Sequence, residues 1–280
     1  MGHYDHREHA GNAGDLWKHF LLLEVADCLL TPDSSLVYAE SHVGRPKYAL
    51  KPSGDWESGI GRIWPALPLL KDFPYFDILA EANPSEPSSP LQIECYPGSA
   101  LLLAKLAKRK KADLKMEIWD IDPAVEAAWN EFLDHGHPGQ GCPDHGRSDH
   151  GRPGHGRLDR SSISFHLGDG FSGCMSLLRR APPGLLLIDP PFTSPGERRA
   201  AEELFCMASE SGWTVLCWHM KEAMRPSDHP TEFPLLFSQI GLDYAKAAGC
   251  SIRAASPHTA LLSHLSRRAR AFLHISASSK

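Results

Sequence analysis

The chain has 280 residues, a formal net charge of −5 and 42% hydrophobic residues, which is typical of a soluble globular protein with one large or two small domains. No apolar stretch approaches the roughly 20 residues that span a bilayer, and the first residues, MGHYDHREHAGN, lack the apolar segment of a signal peptide. We therefore expect a cytoplasmic protein with no membrane partner. The seven cysteines are scattered and include no C-x-x-C pair, which argues against a disulfide framework or a thiolate metal site.

Residues 12–15, with the sequence NAGD, have the composition of a helix start, with Asp15 as the expected N-cap and apolar residues beyond it. Lys18 and His19 then fall in the first turn. Backbone N–H groups and a lysine at a helix start favour an anion such as a carboxylate or phosphate. The alternative is that both are ordinary surface side chains.

Strand-like apolar runs alternate with helical segments along most of the chain, which predicts an α/β fold with a mostly parallel, doubly wound sheet. Two later runs, 250–256 and 271–277, are close enough in sequence to form an antiparallel edge pair. The runs predicted to form the parallel sheet are 36–42, 115–122, 162–170, 184–191 and 213–220.

Two segments interrupt this alternation. Residues 46–98 read as a small helical insert followed by the proline-rich stretch PSEPSSP. Residues 134–161 repeat D-H-G and H-G-R with almost no apolar residue, so we expect a disordered loop within the main domain, and its histidines have no spacing that fixes a metal site. The apolar residues at near-helical spacing in the first segment are Trp56, Ile60, Ile63, Trp64, Leu67 and Leu70.

Acidic residues follow three successive predicted strands. Asp120 ends the second strand and suits the two hydroxyls of a ribose. Asp169, between Gly168 and Gly170, leaves room for a ligand to approach and can accept a hydrogen bond from an adenine amino group. Asp189 ends the fourth strand, so the three acids would present acceptors along one sheet edge, as an adenosine-containing ligand requires.

The stretch D-P-P-F at 189–192 has a specific chemical interpretation. A nucleobase amine is a poor nucleophile because its lone pair is delocalised into the ring. The Asp189 carboxylate and the Pro190 carbonyl can accept its two hydrogens, the prolines stiffen the turn, and Phe192 can stack on a base that has left its helix. The alternative is an ordinary helix-cap or turn acid.

Basic clusters are the only local attraction for a polyanion in a chain of negative net charge. Each is more commonly a solvated helix face, and we expect 105–111 and 198–199 to be the ones that follow a phosphate backbone. The clusters are Lys105, Lys108, Arg109, Lys110 and Lys111; Arg179 and Arg180; Arg198 and Arg199; and Arg267, Arg268 and Arg270.

These residues resemble a known family, the bacterial methyltransferases of the RlmJ type, which use S-adenosylmethionine to methylate N6 of an adenine in 23S ribosomal RNA of the large subunit. The resemblance runs through most of the chain in order. Its motifs are Tyr4, His6, HAGN at 9–12, Asp15, Lys18, His19, His42, Gly44, YPGS at 96–99, Asp120, DGF at 169–171 and IDPPF at 188–192.

The resemblance implies a Rossmann-like, class I methyltransferase domain over 1–45 and 99–280, with a helical subdomain at 46–98 inserted after the first strand. It implies that Tyr4 and His6 lie near the substrate entrance, and that Asp189, Pro190 and Phe192 hold the target base. Contacts to S-adenosylmethionine are implied for Lys18, His19, His42, Ser99, Asp120, Asp169, Gly170 and Asp189.

One departure from the family pattern lies beside the expected position of the methionine part of the cofactor. The chain reads SHVGRPKY at 41–48, so Arg45 and Pro46 stand where the family has small residues. This departure favours one alternative, a non-catalytic nucleic-acid-handling protein linked to the use of external DNA. A second alternative is methylation of adenine in DNA. We expect protein-free ribosomal RNA as the substrate and duplex DNA as a poor one, because bases in RNA loops and bulges are already partly unstacked. We expect no obligate protein partner.

Overall fold

The computed structural model describes residues 9–84, 92–135, 162–221, 231–242 and 249–278. Among these residues, no helix combines the length and hydrophobicity needed to cross a bilayer. The strands are β1 (Ser35–Glu40), β2 (Lys47–Ala49), β3 (Cys95–Pro97), β4 (Asp113–Asp120), β5 (Ile163–Leu167), β6 (Leu185–Ile188), β7 (Thr214–Lys221), β8 (Glu232–Leu236) and β9 (Gly249–Ala255). The α-helices are α1 (Ala13–Leu29), α2 (Ile60–Ile63), α3 (Pro74–Ala82), α4 (Ser99–Lys110), α5 (Pro123–His135), α6 (Gly170–Leu178), α7 (Pro195–Glu210) and α8 (Thr259–Ser278).

The main sheet has seven strands in the order β5-β4-β1-β6-β7-β9-β8. The first five strands in this order are parallel, and β9 runs antiparallel to both of its neighbours. Helices α1, α4, α5 and α8 contribute to one apolar core, whereas α6 and α7 form a second core with the sheet. The predicted α/β fold with a mostly parallel sheet is confirmed, as are all five predicted parallel strands, and the arrangement is consistent with a Rossmann-like methyltransferase.

The predicted edge pair of 250–256 with 271–277 is wrong in its second member. Residues 271–277 belong to α8, and β9 pairs with β7 and β8 instead. The reason is a helical period that begins upstream, because Leu261, Leu265 and Phe272 are all buried along one stripe of α8. Strand β8 was not predicted; it contains Pro234, which is tolerated because β8 lies at the edge of the sheet.

The segment between β2 and β3 leaves and returns at one place, because these two strands pair antiparallel with Lys47 opposite Pro97. Between them lie α2, α3 and short 3-10 helices at Asp55–Ser58 and Trp64–Leu69. The segment packs into the same apolar core as α1. It also contacts the turn before α1, where the Ile60 N–H donates to the Gly11 carbonyl at 2.9 Å. Of the six apolar side chains predicted at helical spacing, those buried are Ile60, Ile63, Trp64, Leu67 and Leu70.

The start of α6 approaches the end of β1 so closely that Gly170 has no room for a side chain. A Cβ atom there would lie 1.7 Å from the Ser41 carbonyl oxygen, which belongs to the backbone and cannot rotate away. This approach brings the start of α6 across the end of β4 to the end of β1.

We predict that Gly170→Ala lowers the free energy of unfolding by about 1–3 kcal/mol, because α6 has to move away from β1. The matched control is Gly196→Ala, also in the first turn of a helix, where the nearest atom to the new Cβ lies 3.7 Å away. Chemical denaturation of both variants is the measurement. Equal stabilities would contradict the close packing described for Gly170.

Candidate functional site

The candidate site lies along the carboxyl ends of β1, β4, β5 and β6. Strand order reverses between β1 and β6, because the chain continues from β1 to β4 and β5 on one side and later to β6 and β7 on the other. Open α/β sheets bind ligands at such a switch point, outside the carboxyl ends of the strands. Asp120 ends β4, and Asp169 and Asp189 follow β5 and β6, so the structure places all three acids at this edge, as predicted.

A buried lysine links α1 to the end of β6. The Lys18 ammonium donates to Asp15 Oδ1 at 2.8 Å and to Asp189 Oδ2. Burial alone lowers the pKa of Lys18, but the charges of Asp15 and Asp189 outweigh it and hold the pKa well above its usual value. Lys18 is therefore a permanent cation that fixes the Asp189 carboxylate. Two carboxylates already pair with Lys18. Its role is therefore to position Asp189, and not to bind a further anion as the helix start predicted.

Helix α1 is capped by Asn12, not by Asp15, so Lys18 and His19 lie in its second turn and not in the first as predicted. The Asn12 side chain accepts from the Asp15 N–H at 2.9 Å, and Asp15 Oδ2 accepts from the Gly11 N–H at 2.9 Å. The prediction of Asp15 as the N-cap is wrong by three residues. Asp15 lies at the third helical position, where it exchanges hydrogen bonds with the residues that begin the helix, much as in a capping box. The consequence is functional, since the other Asp15 oxygen remains directed at Lys18.

A second buried acid, Glu40, lies at the end of β1 with only 1% of its surface exposed. Its two oxygens accept from Ser99 Oγ at 2.5 Å and from the Tyr38 hydroxyl at 2.7 Å. Burial raises the pKa of Glu40 to about 8, despite these two hydrogen bonds. Ser99, a predicted cofactor contact, is itself buried and donates to Glu40. It therefore holds a buried acid at the end of β1.

His19, also predicted to contact the cofactor, lies inside the core. Its Nδ1 atom is 2.7 Å from the Tyr96 hydroxyl, which is 3.0 Å from the Tyr75 hydroxyl. The His19 and Tyr96 rings stack with centroids 5.6 Å apart. His19 therefore connects α1 to β3 and α3, whereas its neighbour Lys18 reaches the sheet edge.

The turn after β1 is held from several sides. Gly44 has a φ of +62°, a conformation that favours glycine, and its N–H donates to Asp120 Oδ2 at 3.1 Å. The Gly44 carbonyl accepts from Trp129 Nε1 at 2.9 Å, and the Tyr48 hydroxyl accepts from the Arg45 N–H at 2.8 Å. The turn is thus ordered with Arg45 and Pro46 in place.

His42 lies in the same turn. Its ring centroid is 4.8 Å from that of Phe171, and burial lowers the pKa of His42.

The edge at β4 and β5 combines acids with exposed apolar side chains. Asp120 Oδ1 accepts from the Asp122 N–H at 2.9 Å. Asp169 caps α6 and accepts from Ser172 Oγ at 2.6 Å. Partial burial raises the pKa of Asp169, but hydrogen bonds from Ser172 and Phe171 have the larger combined effect, so the pKa is lowered. Ile121 is 71% exposed and Leu167 is 47% exposed. This part of the edge therefore presents both carboxylate acceptors and exposed apolar surface.

The D-P-P-F turn places an aromatic ring in a strained backbone position. Phe192 has a φ of +52°, a left-handed conformation that costs a bulky residue about 1–3 kcal/mol. Its ring lies near-parallel to those of Trp218 and His219, with centroids 6.1 and 5.5 Å away. Pro190 is buried, and Asp189 remains accessible at 16% of its side-chain surface. The turn therefore presents the acid and the ring together at the edge.

Predicted residues outside the described parts of the chain are Tyr4, His6 and nearly all of the 134–161 segment, so their roles stay predictions. Within the described residues, no group of three or more His, Cys, Asp or Glu is arranged to hold a metal ion. Sequence reasoning missed Glu40, Trp218 and His219. An acid or an aromatic ring at the end of a predicted strand was the available signal for all three.

The basic cluster at 105–111 lies at the opposite edge of the sheet, which corrects one expectation. Helix α4 begins beside Glu40 and ends near the start of β1, where the Asp33 N–H donates to the Lys111 carbonyl. Arg109 pairs with Asp77 and Glu81, and Lys110 pairs with Asp27. Arg198 and Arg199, in contrast, are exposed near the start of α7, and Arg198 lies over the Phe192 ring of the D-P-P-F turn.

Comparison with known proteins points to one group. The chain is 26% identical over 220 residues to ribosomal RNA large subunit methyltransferase J from Haemophilus influenzae, covering 75% of this chain and 65% of that protein. It is 28% identical over 201 residues to the Escherichia coli protein of the same name, covering 68% and 59% of the two chains. The chain is a relative of ribosomal RNA large subunit methyltransferase J. The resemblance found in the sequence is confirmed.

The matched region spans less than two thirds of the length of these two relatives. No protein-family model matches the chain. A crystal structure of a Legionella pneumophila protein superposes with a TM-score of 0.68 at 17% identity, covering 96% of this chain and 94% of that one. At this identity the likeness supports the fold alone.

We predict that Glu40 makes stability fall with rising pH. Its folded-state pKa of about 8 lies above the ordinary value of 4.5, so its contribution is fully present below pH 4.5 and is lost as the pH rises through 8. Glu40→Gln mimics the protonated acid, and the stability of the wild type relative to this variant should decrease between pH 5 and pH 8. Urea unfolding at three pH values measures it, with the exposed Glu203→Gln as control. If the free energies of unfolding of wild type and Glu40→Gln depend on pH in the same way, Glu40 is not protonated in the folded state.

Proposed function

We propose that this protein is an S-adenosylmethionine-dependent methyltransferase that modifies the exocyclic N6 amine of an adenine in 23S ribosomal RNA. The observation that carries the proposal is the fixed position of Asp189. Lys18 holds its carboxylate at the switch point, directly before the Pro190 carbonyl and the left-handed Phe192. The named relatives support the same reaction class and an RNA substrate.

The chain's own residues prepare the amine. One Asp189 oxygen is engaged by Lys18, and the carboxylate has further lone pairs that can accept a hydrogen from the amine. The Pro190 carbonyl takes the second hydrogen, which turns the nitrogen lone pair out of conjugation with the ring. Phe192 stacks on the base and fixes its plane. Such a site acts by positioning and electrostatics, and the Lys18 ammonium holds the Asp189 carboxylate in place.

The β4–β5 edge fits the adenosine part of S-adenosylmethionine. Asp120 would accept from the ribose hydroxyls and Asp169 from the adenine amino group, while the exposed Ile121 and Leu167 would cover the faces of the ring. The turn at His42 and Gly44 and the backbone at Gly170 would hold the methionine part, with His19 and Ser99 as supports behind it. When bound, this cofactor supplies an electrophilic methyl group.

The segment 46–98 acts, in this proposal, as a helical subdomain inserted into a methyltransferase domain of residues 1–45 and 99–280. The closed β2–β3 pair supports that division. The substrate is protein-free ribosomal RNA, which places the reaction in the cytoplasm and needs no protein partner. The arginines beside the site are few, so RNA binding should be modest and should weaken strongly with salt.

The deciding experiment is nucleoside mass spectrometry after incubating the protein and labelled S-adenosylmethionine with deproteinised ribosomal RNA, intact large subunits and genomic DNA. The expected product is N6-methyladenosine in deproteinised RNA. Label chiefly in DNA would support the DNA alternative. No label in any sample would support a non-catalytic protein, the alternative that Arg45 and Pro46 favoured.

We predict that Asp189→Ala lowers the rate of methyl transfer about a hundredfold, since losing one acceptor costs on the order of 3 kcal/mol of transition-state stabilisation. Lys18 retains Asp15 as a partner, so the variant should remain folded with a reduced melting temperature. Single-turnover kinetics and circular dichroism are the measurements. Turnover close to that of the wild type would remove Asp189 from the chemistry.

We predict that Asp120→Ala instead weakens cofactor binding, by about tenfold, because two hydroxyl acceptors and the hydrogen bond from Gly44 are lost. Asp113→Ala is the matched control, since Asp113 begins the same strand at the opposite edge. Isothermal titration with S-adenosylmethionine measures both. The assignment fails if the two variants bind the cofactor equally well.

A further inference from the structure

Strand β7 continues past the end of its parallel neighbour. The last pair between β6 and β7 joins Ile188 to Cys217, whereas β7 runs on to Lys221 and there pairs only with β9. The sheet therefore has a projecting wall beside the D-P-P-F turn. Side chains on this wall lie next to the site but beyond the strand ends that carry the acids.

Two rings on the wall, Trp218 and His219, face different sides because side chains alternate along a strand. Trp218 packs against the core that contains α1, and it lies beside Gly14, where a Cβ would be 3.2 Å from the indole. His219 shares a side with Cys217, which belongs to the core against which Phe192 packs. Phe192 is near-parallel to both rings. Trp218 therefore packs toward α1, whereas the half-buried His219 lies on the side of the sheet that carries the core of Phe192.

A positive charge lies over the same surface. The Arg198 guanidinium is 5.7 Å from the centroid of the Phe192 ring, within the range of a cation–π contact. Arg198 is exposed, as is Met220 at 44% of its surface. Aromatic rings combined with an arginine are the elements with which proteins bind single-stranded nucleic acid, the base by stacking and the backbone by charge.

We propose that His219 and Arg198 form a second nucleotide site, which binds the RNA nucleotide adjacent to the methylated adenine. The inference rests on the proposed function. The target base has to reach Asp189 and stack on Phe192, so a base on His219 belongs to a different nucleotide. His219 stacks on that neighbouring base, and Arg198 contacts the phosphate that joins the two nucleotides.

The test combines variants of the protein with an altered RNA. Once the methylated adenine is mapped, RNA oligonucleotides are prepared with an abasic residue at each flanking position. His219→Ala should raise KM for the intact oligonucleotide about tenfold with cofactor affinity unchanged, and His219→Phe should restore it. One abasic position should impair the wild type by a similar factor and should impair His219→Ala no further. The controls are His258→Ala and Arg179→Ala, exposed residues of the same types away from this edge.

Each other outcome has one meaning. Additive losses from His219→Ala and every abasic position would show that His219 only supports Phe192, and would overturn the second site. Methylation with no effect of His219→Ala would overturn it and leave the proposed function intact. If the wild type methylates no nucleic acid, the proposed function fails, and fluorescence anisotropy with a labelled single-stranded RNA decides the site separately. Weaker binding by His219→Ala and Arg198→Ala then supports it, and unchanged binding overturns it.

Discussion

A single buried cation connects the parts of the candidate site. Lys18 lies on the first helix, and its two carboxylate partners come from that helix and from the end of the fourth parallel strand of the chain. Loss of the lysine would leave both carboxylates without its compensating charge, and breaking a buried ion pair in this way commonly costs about 3–5 kcal/mol. The folded core therefore fixes the Asp189 carboxylate, and with it the start of the turn that follows. Phe192, with its strained backbone, lies three residues further along this turn.

The edge of the sheet divides into two chemical halves, with Asp189 between them. On the β4–β5 side lie acids and exposed aliphatic side chains, which suit a neutral or cationic ligand with a ribose. On the β7–α7 side lie aromatic rings and exposed arginines. A polyanion would be repelled from the first half and attracted to the second. Under the proposed function, this division would let a protein of net charge −5 approach nucleic acid from one direction.

The sequence was sufficient to predict the parallel strands and the acids that follow them, because a buried strand is an unbroken apolar run and its end is a sharp change of residue type. It was insufficient for partners distant in the chain, such as Lys18 with Asp189, because local pattern carries no information about pairing across 171 positions. His19 and Ser99 show the same limit, since the direction of a side chain depends on helix rotation. The position of the cluster at 105–111 could have been predicted from the sequence. A helix between parallel strands returns the chain to the amino edge of the sheet, so its last turn lies far from the site.

The pairing of Lys47 with Pro97 also has a consequence for how the chain tolerates change. The two ends of the intervening segment are held side by side whatever lies between them, and the entropy of closing such a loop grows only logarithmically with its length. The main sheet is therefore joined to the segment at one place. Insertions in its exposed turns leave that junction unchanged, whereas an exchange of the whole segment also has to replace the side chains that pack against α1. This junction is where we would divide the chain to build chimeras.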